Sequence, residues 1–258
     1  MNWEKTYAAI FRKSKNGLKA VKTLDIDAVN LDDLIGIDEQ KNRLLSNTIN
    51  FINDKGANHA LLWGERGCGK SSLVKAVFWV LKDKNLRIIE LNKSDLENLA
   101  DIIDELRHEK HKFIIFCDDF SFEKGDDSYK FLKPVLEGSI QKAPRNVLVY
   151  MTSNRRHLVS EEKSDNDSVY VTSGELHYGD SVDEKISLAD RFGLWISFYQ
   201  ESYDQYISIV KHYFTTFKCD EDELVKQAKA YAMLKGSRSG RTAKQFYFEY
   251  KSLLESKN

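Results

Sequence analysis

The stretch Gly64-Glu65-Arg66-Gly67-Cys68-Gly69-Lys70-Ser71 constrains this chain more than any other, because it fits G-x-x-x-x-G-K-[ST] without a mismatch. The apolar run Ala60-Leu61-Leu62-Trp63 before it reads as a buried strand, and residues 72–81 after it carry apolar side chains at helical spacing. In the order strand, glycine loop, helix, the glycines let successive backbone N–H groups curl around an anion, and the helix N-terminus adds partial positive charge. Lys70 can reach the outer phosphates of a nucleotide, and the Ser71 hydroxyl can ligate Mg²⁺. The candidate contacts run from Gly64 through Ser72, and the expected ligands are the phosphates of a nucleotide and Mg²⁺.

The remaining pattern alternates strands with helices. Leu86–Leu91 reads as a strand and 95–107 as a helix. Phe113-Ile114-Ile115-Phe116-Cys117 is a continuous apolar run, as in a parallel strand covered on both faces, and it ends in Asp118-Asp119. Acids at the carboxyl end of such a strand sit beside the phosphate loop, where open α/β sheets bind ligands. Asp118 is therefore a candidate Mg²⁺ ligand and Asp119 a candidate for orienting the attacking water. A further strand, Val147–Met151, runs into Thr152-Ser153-Asn154, whose Asn154 can reach that water or the γ-phosphate. Arg155-Arg156-His157 follow, either as contacts to a phosphate, subunit or nucleic acid or as an exposed basic turn. Residues 160–185 are polar, mainly acidic and aperiodic, which reads as a loop or partner surface.

Leu194–Tyr199 looks like a fifth strand, and 203–217, 220–234 and 241–254 show helical spacing. Between the last two helices, Ser239 or Gly240 can start a helix with Arg241 in its first turn. A cation there opposes the macrodipole by a few tenths of a kcal/mol, which suggests a ligand or partner for Arg241. At the start of the chain, residues 3–23 mix Tyr7, Ile10, Phe11, Leu18 and Val21 with lysines and arginines. A basic amphipathic helix is expected, either packed on the domain or touching an acidic surface.

Composition narrows the class. A formal net charge of −1 argues against a general nucleic-acid coat. The three cysteines, Cys68, Cys117 and Cys219, lie too far apart in sequence for a metal-ligand spacing. Cys68 is either an oxidation-sensitive thiol or simply a small residue the loop tolerates. The N-terminus lacks a signal-peptide layout and no apolar run approaches membrane-spanning length, so a cytoplasmic protein without a membrane partner is expected.

Taken in order, residues 31–250 resemble a AAA+ ATPase. Gly64–Ser71 matches the Walker A motif and Phe113–Asp119 resembles Walker B. The Leu34-Ile35-Gly36 turn is similar to the segment that packs on adenine, which marks Ile35 and Gly36 as nucleotide contacts. The resemblance implies a sensor-1 role for Asn154, an arginine finger at Arg191 in Ala189-Asp190-Arg191-Phe192-Gly193, and a sensor-2 role for Arg241. The motifs are most similar to a bacterial family of AAA+ ATP-binding proteins with no assigned cellular role. One departure stands out: the second Walker B acid is usually glutamate and here is Asp119, with Glu123 a few residues on.

The expected architecture is an α/β three-layer P-loop core with a five-stranded parallel sheet over residues 30–200, preceded by a basic helical segment (1–29) and followed by a helical lid (201–258). The expected activity is ATP hydrolysis to ADP and phosphate, coupled to remodelling or assembly of a protein client. The resemblance implies a homo-oligomer that places Arg191 in a neighbour's site. Two alternatives stand: a slow nucleotide-dependent switch or scaffold, which Asp119 favours, and a nucleic-acid-associated ATPase of helicase-loader or initiator type, which the basic N-terminus and Arg155-Arg156 motivate.

Overall fold

Each apolar run just described becomes a strand whose two faces are both covered. The computed structural model describes residues 1–13, 17–121, 128–137, 141–155, 170–172, 175–177, 187–217 and 219–255. Arg156, His157, Glu123 and most of 160–185 lie outside the described residues. The strands are β1 (Ala8–Arg12), β2 (Gly17–Val21), β3 (Ala60–Gly64), β4 (Leu86–Glu90), β5 (Lys112–Cys117), β6 (Val147–Ser153), β7 (Tyr170–Thr172), β8 (Glu175–His177) and β9 (Leu194–Phe198). β7 and β8 form a small antiparallel pair of their own.

The main sheet has the order β2-β1-β4-β5-β6-β3-β9. It is parallel throughout except for the β1–β2 hairpin. It therefore has seven strands, not the five expected. The five expected strands are all present, and the two added ones come from the segment read as a basic helix. Ala8, Ala9 and Phe11 of β1 are buried, and β1 pairs in parallel with the edge of β4. Left alone, that edge would present a row of unpaired N–H and C=O groups. The basic residues Lys19 and Lys22 then fall on the exposed outer strand or just beyond it, where charge discourages edge-to-edge pairing.

Helices α1 (Asp38–Ile52) and α2 (Lys70–Leu81) cover one face, burying Leu44, Phe51, Leu73, Val77 and Phe78 against Leu62, Ile114, Phe116 and Tyr150. Helix α3 (Leu99–Leu106) covers the other, with Ile102, Ile103 and Leu106 against Ile89, Phe113, Ile115 and Val149. The alternation of sheet residues between the two clusters is the period-2 geometry of a strand. The buried Tyr150 hydroxyl is satisfied: it meets Thr48 Oγ1 at 2.9 Å and accepts from Asn47 Nδ2 at 3.0 Å. A short helix, α4 (Lys133–Glu137), precedes β6.

After β9 the chain forms three helices, α5 (Tyr203–Tyr213), α6 (Glu221–Lys235) and α7 (Gly240–Glu255). Their termini follow local chemistry. Ser202 caps α5 in a reciprocal box with Gln205, Asp220 caps α6 by accepting from Glu223 N at 2.8 Å, and Gly236 ends α6 in the left-handed region. The helices enclose a separate core around Tyr206, Val210, Phe214, Leu224, Ala243 and Phe246. Among the described residues no helix is long and apolar enough to cross a membrane.

Candidate nucleotide-binding site

At the carboxyl ends of β3, β5 and β6 the sheet, the loop 64–70 and the three-helix unit enclose a cavity of about 630 Å³. The loop is shaped by its glycines. Gly64 has φ +131°, and a Cβ there would lie 1.8 Å from the Phe198 carbonyl oxygen of β9. Gly67, at φ +79°, sits against Ser239 and Arg241, and its carbonyl accepts from Arg241 N at 3.3 Å. The start of α7 is thus seated directly on the phosphate-loop backbone.

Lys70 is only 7 % exposed. Its ammonium donates to the carbonyls of Gly64 and Glu65, both at 2.7 Å, and to Asn154 Oδ1 at 3.0 Å. Burial lowers its pKa from the ordinary lysine value, while Cys68, Asp119, Asp118 and Glu65 hold it up. Ser71 Oγ donates to Asp118 Oδ1 at 2.5 Å, and the same oxygen accepts from Thr152 Oγ1 at 2.5 Å and from Asp119 N at 3.1 Å. Thr152 Oγ1 also accepts from Asp119 N at 2.9 Å. Asp119 has φ +49°, a left-handed conformation that Asp and Asn accept more readily than most residues. Its carboxylate accepts a hydrogen bond from Asn154 Nδ2. Loop, β5 and β6 are therefore tied by one continuous network, Ser71–Asp118–Thr152–Asp119–Asn154–Lys70.

The cavity wall contains Arg66, Gly67, Cys68, Gly69, Lys70, Ser71 and Ser72, together with Asp118, Asp119, Asn154, Ile35 and Arg241. Gly64 and Glu65 lie behind the wall and contribute the carbonyls that hold Lys70. Gly36 also lies behind it, at φ +82° and packed on Gln205. Arg191 is apart from the cavity, at the surface, where its guanidinium donates to Ser187 O at 2.8 Å and Ser187 Oγ at 2.7 Å. Cys68 is buried, and burial pushes its thiol up to about 11, so the loop cysteine is a neutral small residue at physiological pH. Among the described residues no group of three or more His, Cys, Asp and Glu is arranged to hold a metal ion.

Thr152, Ile37 and Glu201 are among the wall residues that were not picked out from the sequence. Thr152 stands two positions before Asn154, so strand alternation puts it on the same face, while its bridge between the two acids depends on the approach of β5. Ile37 caps an apolar wall with Ile35, Ile209 and Tyr213. Glu201, a lone acid in the turn after β9, carried no signal.

The fold is an α/β P-loop fold of the kind found in AAA domains. The chain is similar to a RuvB mutant of Thermotoga maritima, with TM-score 0.58 and 16 % identity over 88 % of this chain and 66 % of that one. It is similar as well to the AAA domain of FIGL-1 in complex with ADP, at TM-score 0.54 and 17 % identity over 86 % of this chain and 72 % of that one. A third match, in the E. coli MS115-1 HORMA:CdnC:Trip13 complex, has TM-score 0.52 and 13 % identity over 85 % of this chain and 90 % of that one. Residues 4–254 match the family described as protein of unknown function (DUF815), and the chain belongs to that family. No curated protein matches it in sequence.

Proposed function

We propose that this protein binds Mg²⁺-ATP in the cavity and hydrolyses it to ADP and phosphate. The observation that carries the reading is the placement of Lys70. Its ammonium is held at the mouth of the glycine loop by two carbonyls and Asn154, beside the Ser71–Asp118 pair. A cation anchored only to neutral acceptors can be offered to phosphate oxygens at little electrostatic cost. Gly67 and Gly69, both at positive φ, leave room for loop amides to face those oxygens.

Two hard oxygen donors, the Ser71 hydroxyl and the Asp118 carboxylate, suit a small divalent cation that keeps waters and phosphate oxygens as its remaining ligands. Bound there, Mg²⁺ would neutralise charge on the transferring phosphoryl group. Asp119 orients the attacking water, with Asn154 fixing its carboxylate. Arg241, whose backbone is bound to Gly67, senses the phosphates from the lid, and the apolar wall of Ile35, Ile37, Ile209 and Tyr213 takes the base. The lid–loop contact supplies a route by which occupancy reorients the helical unit against the core, and so acts on a protein client.

Arg191 is at the surface and outside its own chain's cavity. This supports a role in a neighbouring subunit's site within a homo-oligomer, where such fingers contribute about 10³–10⁵ in rate. Steady-state ATPase rate against protein concentration tests this. Specific activity should climb with concentration in wild type and collapse in Arg191→Ala; a rate indifferent to both removes the shared site. A second reading is favoured by Asp119 itself, whose carboxylate is engaged by Asn154. The protein would then bind ATP, turn over slowly and act as a switch. A single-turnover rate that stays slow at saturating protein would select this reading.

A further inference from the structure

Among the described residues the cavity wall contains one buried carboxyl, Glu201, which the phosphate machinery does not use. Glu201 follows β9 and directly precedes the cap of α5. It is 7 % exposed, it lines the cavity, and its Oε2 is enclosed with no hydrogen-bond partner. The placement of its neighbours points to the base end of the cavity. The Phe198 carbonyl of β9 accepts from Glu65 N at 3.0 Å, which sets the turn behind the loop. Gln205, four residues on, packs on Gly36 beside the apolar wall. Glu201 acts electrostatically on Cys68, while the carboxylates acting on Lys70 are those of Asp119, Asp118 and Glu65.

The other charged groups around the cavity leave it unpaired. On the loop these are Arg66 and Lys70, with Glu65 behind the wall, and on α7 they are Arg241 and Lys244; none draws the carboxyl toward ionisation. Across the cavity Asp27 is bound to Lys75 at 2.8 Å and Asp33 to His212 at 3.1 Å. Arg238, on the turn before α7, donates to Gln200 Oε1 at 3.2 Å. Burial without a cation favours the neutral acid and pushes the group up to about 7.

Resting on the nucleotide-site reading, we propose that Glu201 is the residue that selects the base, and that it selects adenine in its acid form. A carboxylic acid presents one O–H donor and one carbonyl acceptor side by side. Adenine's Watson–Crick edge offers the complement: N1 accepts and the N6 amino group donates. Guanine offers two adjacent donors, N1–H and the N2 amino group, and would need the carboxylate. A buried, unpaired carboxyl disfavours that ion. Selection of adenine over guanine is therefore coupled to one proton, and it weakens as the proton leaves.

The test is the ratio of ATP to GTP affinity, measured by calorimetry between pH 6 and 8.5 for wild type, Glu201→Gln and Glu201→Ala. The two nucleotides share their phosphates and Mg²⁺, so titration of those groups, of His212 or of the loop cancels in the ratio. Wild type should prefer ATP at pH 6, with the preference falling by about fivefold or more toward pH 8.5. Glutamine presents a donor and an acceptor at every pH, so Glu201→Gln should keep ATP affinity within about threefold and abolish the pH dependence. Glu201→Ala should lose roughly tenfold in ATP affinity at pH 6. Melting curves confirm that each variant is folded. A wild-type ratio flat in pH, or a pH dependence that survives in Glu201→Gln, overturns the assignment and leaves the site standing. Absence of binding by either nucleotide overturns both.

Discussion

Gly64→Ala tests the joint between the sheet and the phosphate loop. The backbone at 64 has φ +131°, where an L side chain is strained by roughly 1–3 kcal/mol. The new methyl would stand 1.8 Å from the Phe198 oxygen, 2.7 Å from its carbonyl carbon and 2.9 Å from its nitrogen. These are backbone atoms of the neighbouring strand, so no rotamer change relieves the clash. Overpacking of this kind adds about 1–3 kcal/mol. Moving β9 away also costs the Glu65 N to Phe198 O hydrogen bond, worth about 1 kcal/mol.

The sum is roughly 3–7 kcal/mol against a typical stability of about 5–15 kcal/mol. At a urea slope near 3 kcal/mol per molar, the unfolding midpoint should drop by about 1–2 M. Gly17→Ala is the control, since its Cβ meets nothing within 4 Å; it should stay within about 0.5 kcal/mol of wild type. A Gly64→Ala midpoint close to that of Gly17→Ala would refute the geometry.

Other outcomes follow from the same network. Glu201 titrates near 7 in the folded protein against 4.5 ordinarily, so wild-type stability falls as pH rises from about 4.5 through 7, by roughly 3 kcal/mol in total. Glu201→Gln should therefore be more stable than wild type at pH 8 and equal to it near pH 4.5 in denaturation without nucleotide. Asn tolerates the left-handed backbone at 119 as Asp does. Asp119→Asn thus isolates the charge, and single-turnover hydrolysis should fall by at least about a hundredfold while ATP affinity changes by less than about threefold. Cys68, buried and neutral at pH 7.5, should alkylate at least about tenfold more slowly in the native protein than in urea. Equal rates would show the loop to be open.

What could be read from the sequence was what carries long apolar runs or fixed spacing. Phe113–Cys117 and Val147–Met151 announced buried parallel strands because both faces of each are covered, and the glycine loop announced itself by residues whose backbone angles few others accept. The hairpin 8–12/17–21 was hidden because its strands are short and one is an edge, so lysines at strand positions imitated a basic helix. Its role, closing the edge of β4, depends on the sheet and has no local signature. Thr152 was hidden in plain view: it alternates with Asn154 along β6, yet only the approach of β5 shows that it joins Asp118 to Asp119. Glu201 could not be found locally at all. A single acid in a turn is ordinarily solvated, and its burial arises from the glycine loop and the three-helix unit meeting around it. Arg191 was singled out by motif order alone, and its distance from its own cavity is information that only the fold supplies.

The central claim is that the loop anchored by Lys70 holds the phosphates of a nucleotide. Calorimetric titration of wild type and Lys70→Ala with Mg²⁺-ATP tests it most directly. One site per chain in wild type, with affinity reduced at least about tenfold in a Lys70→Ala protein that still melts cooperatively, is the expected result. No heat of binding in wild type at millimolar nucleotide, or equal affinity in the variant, would contradict it.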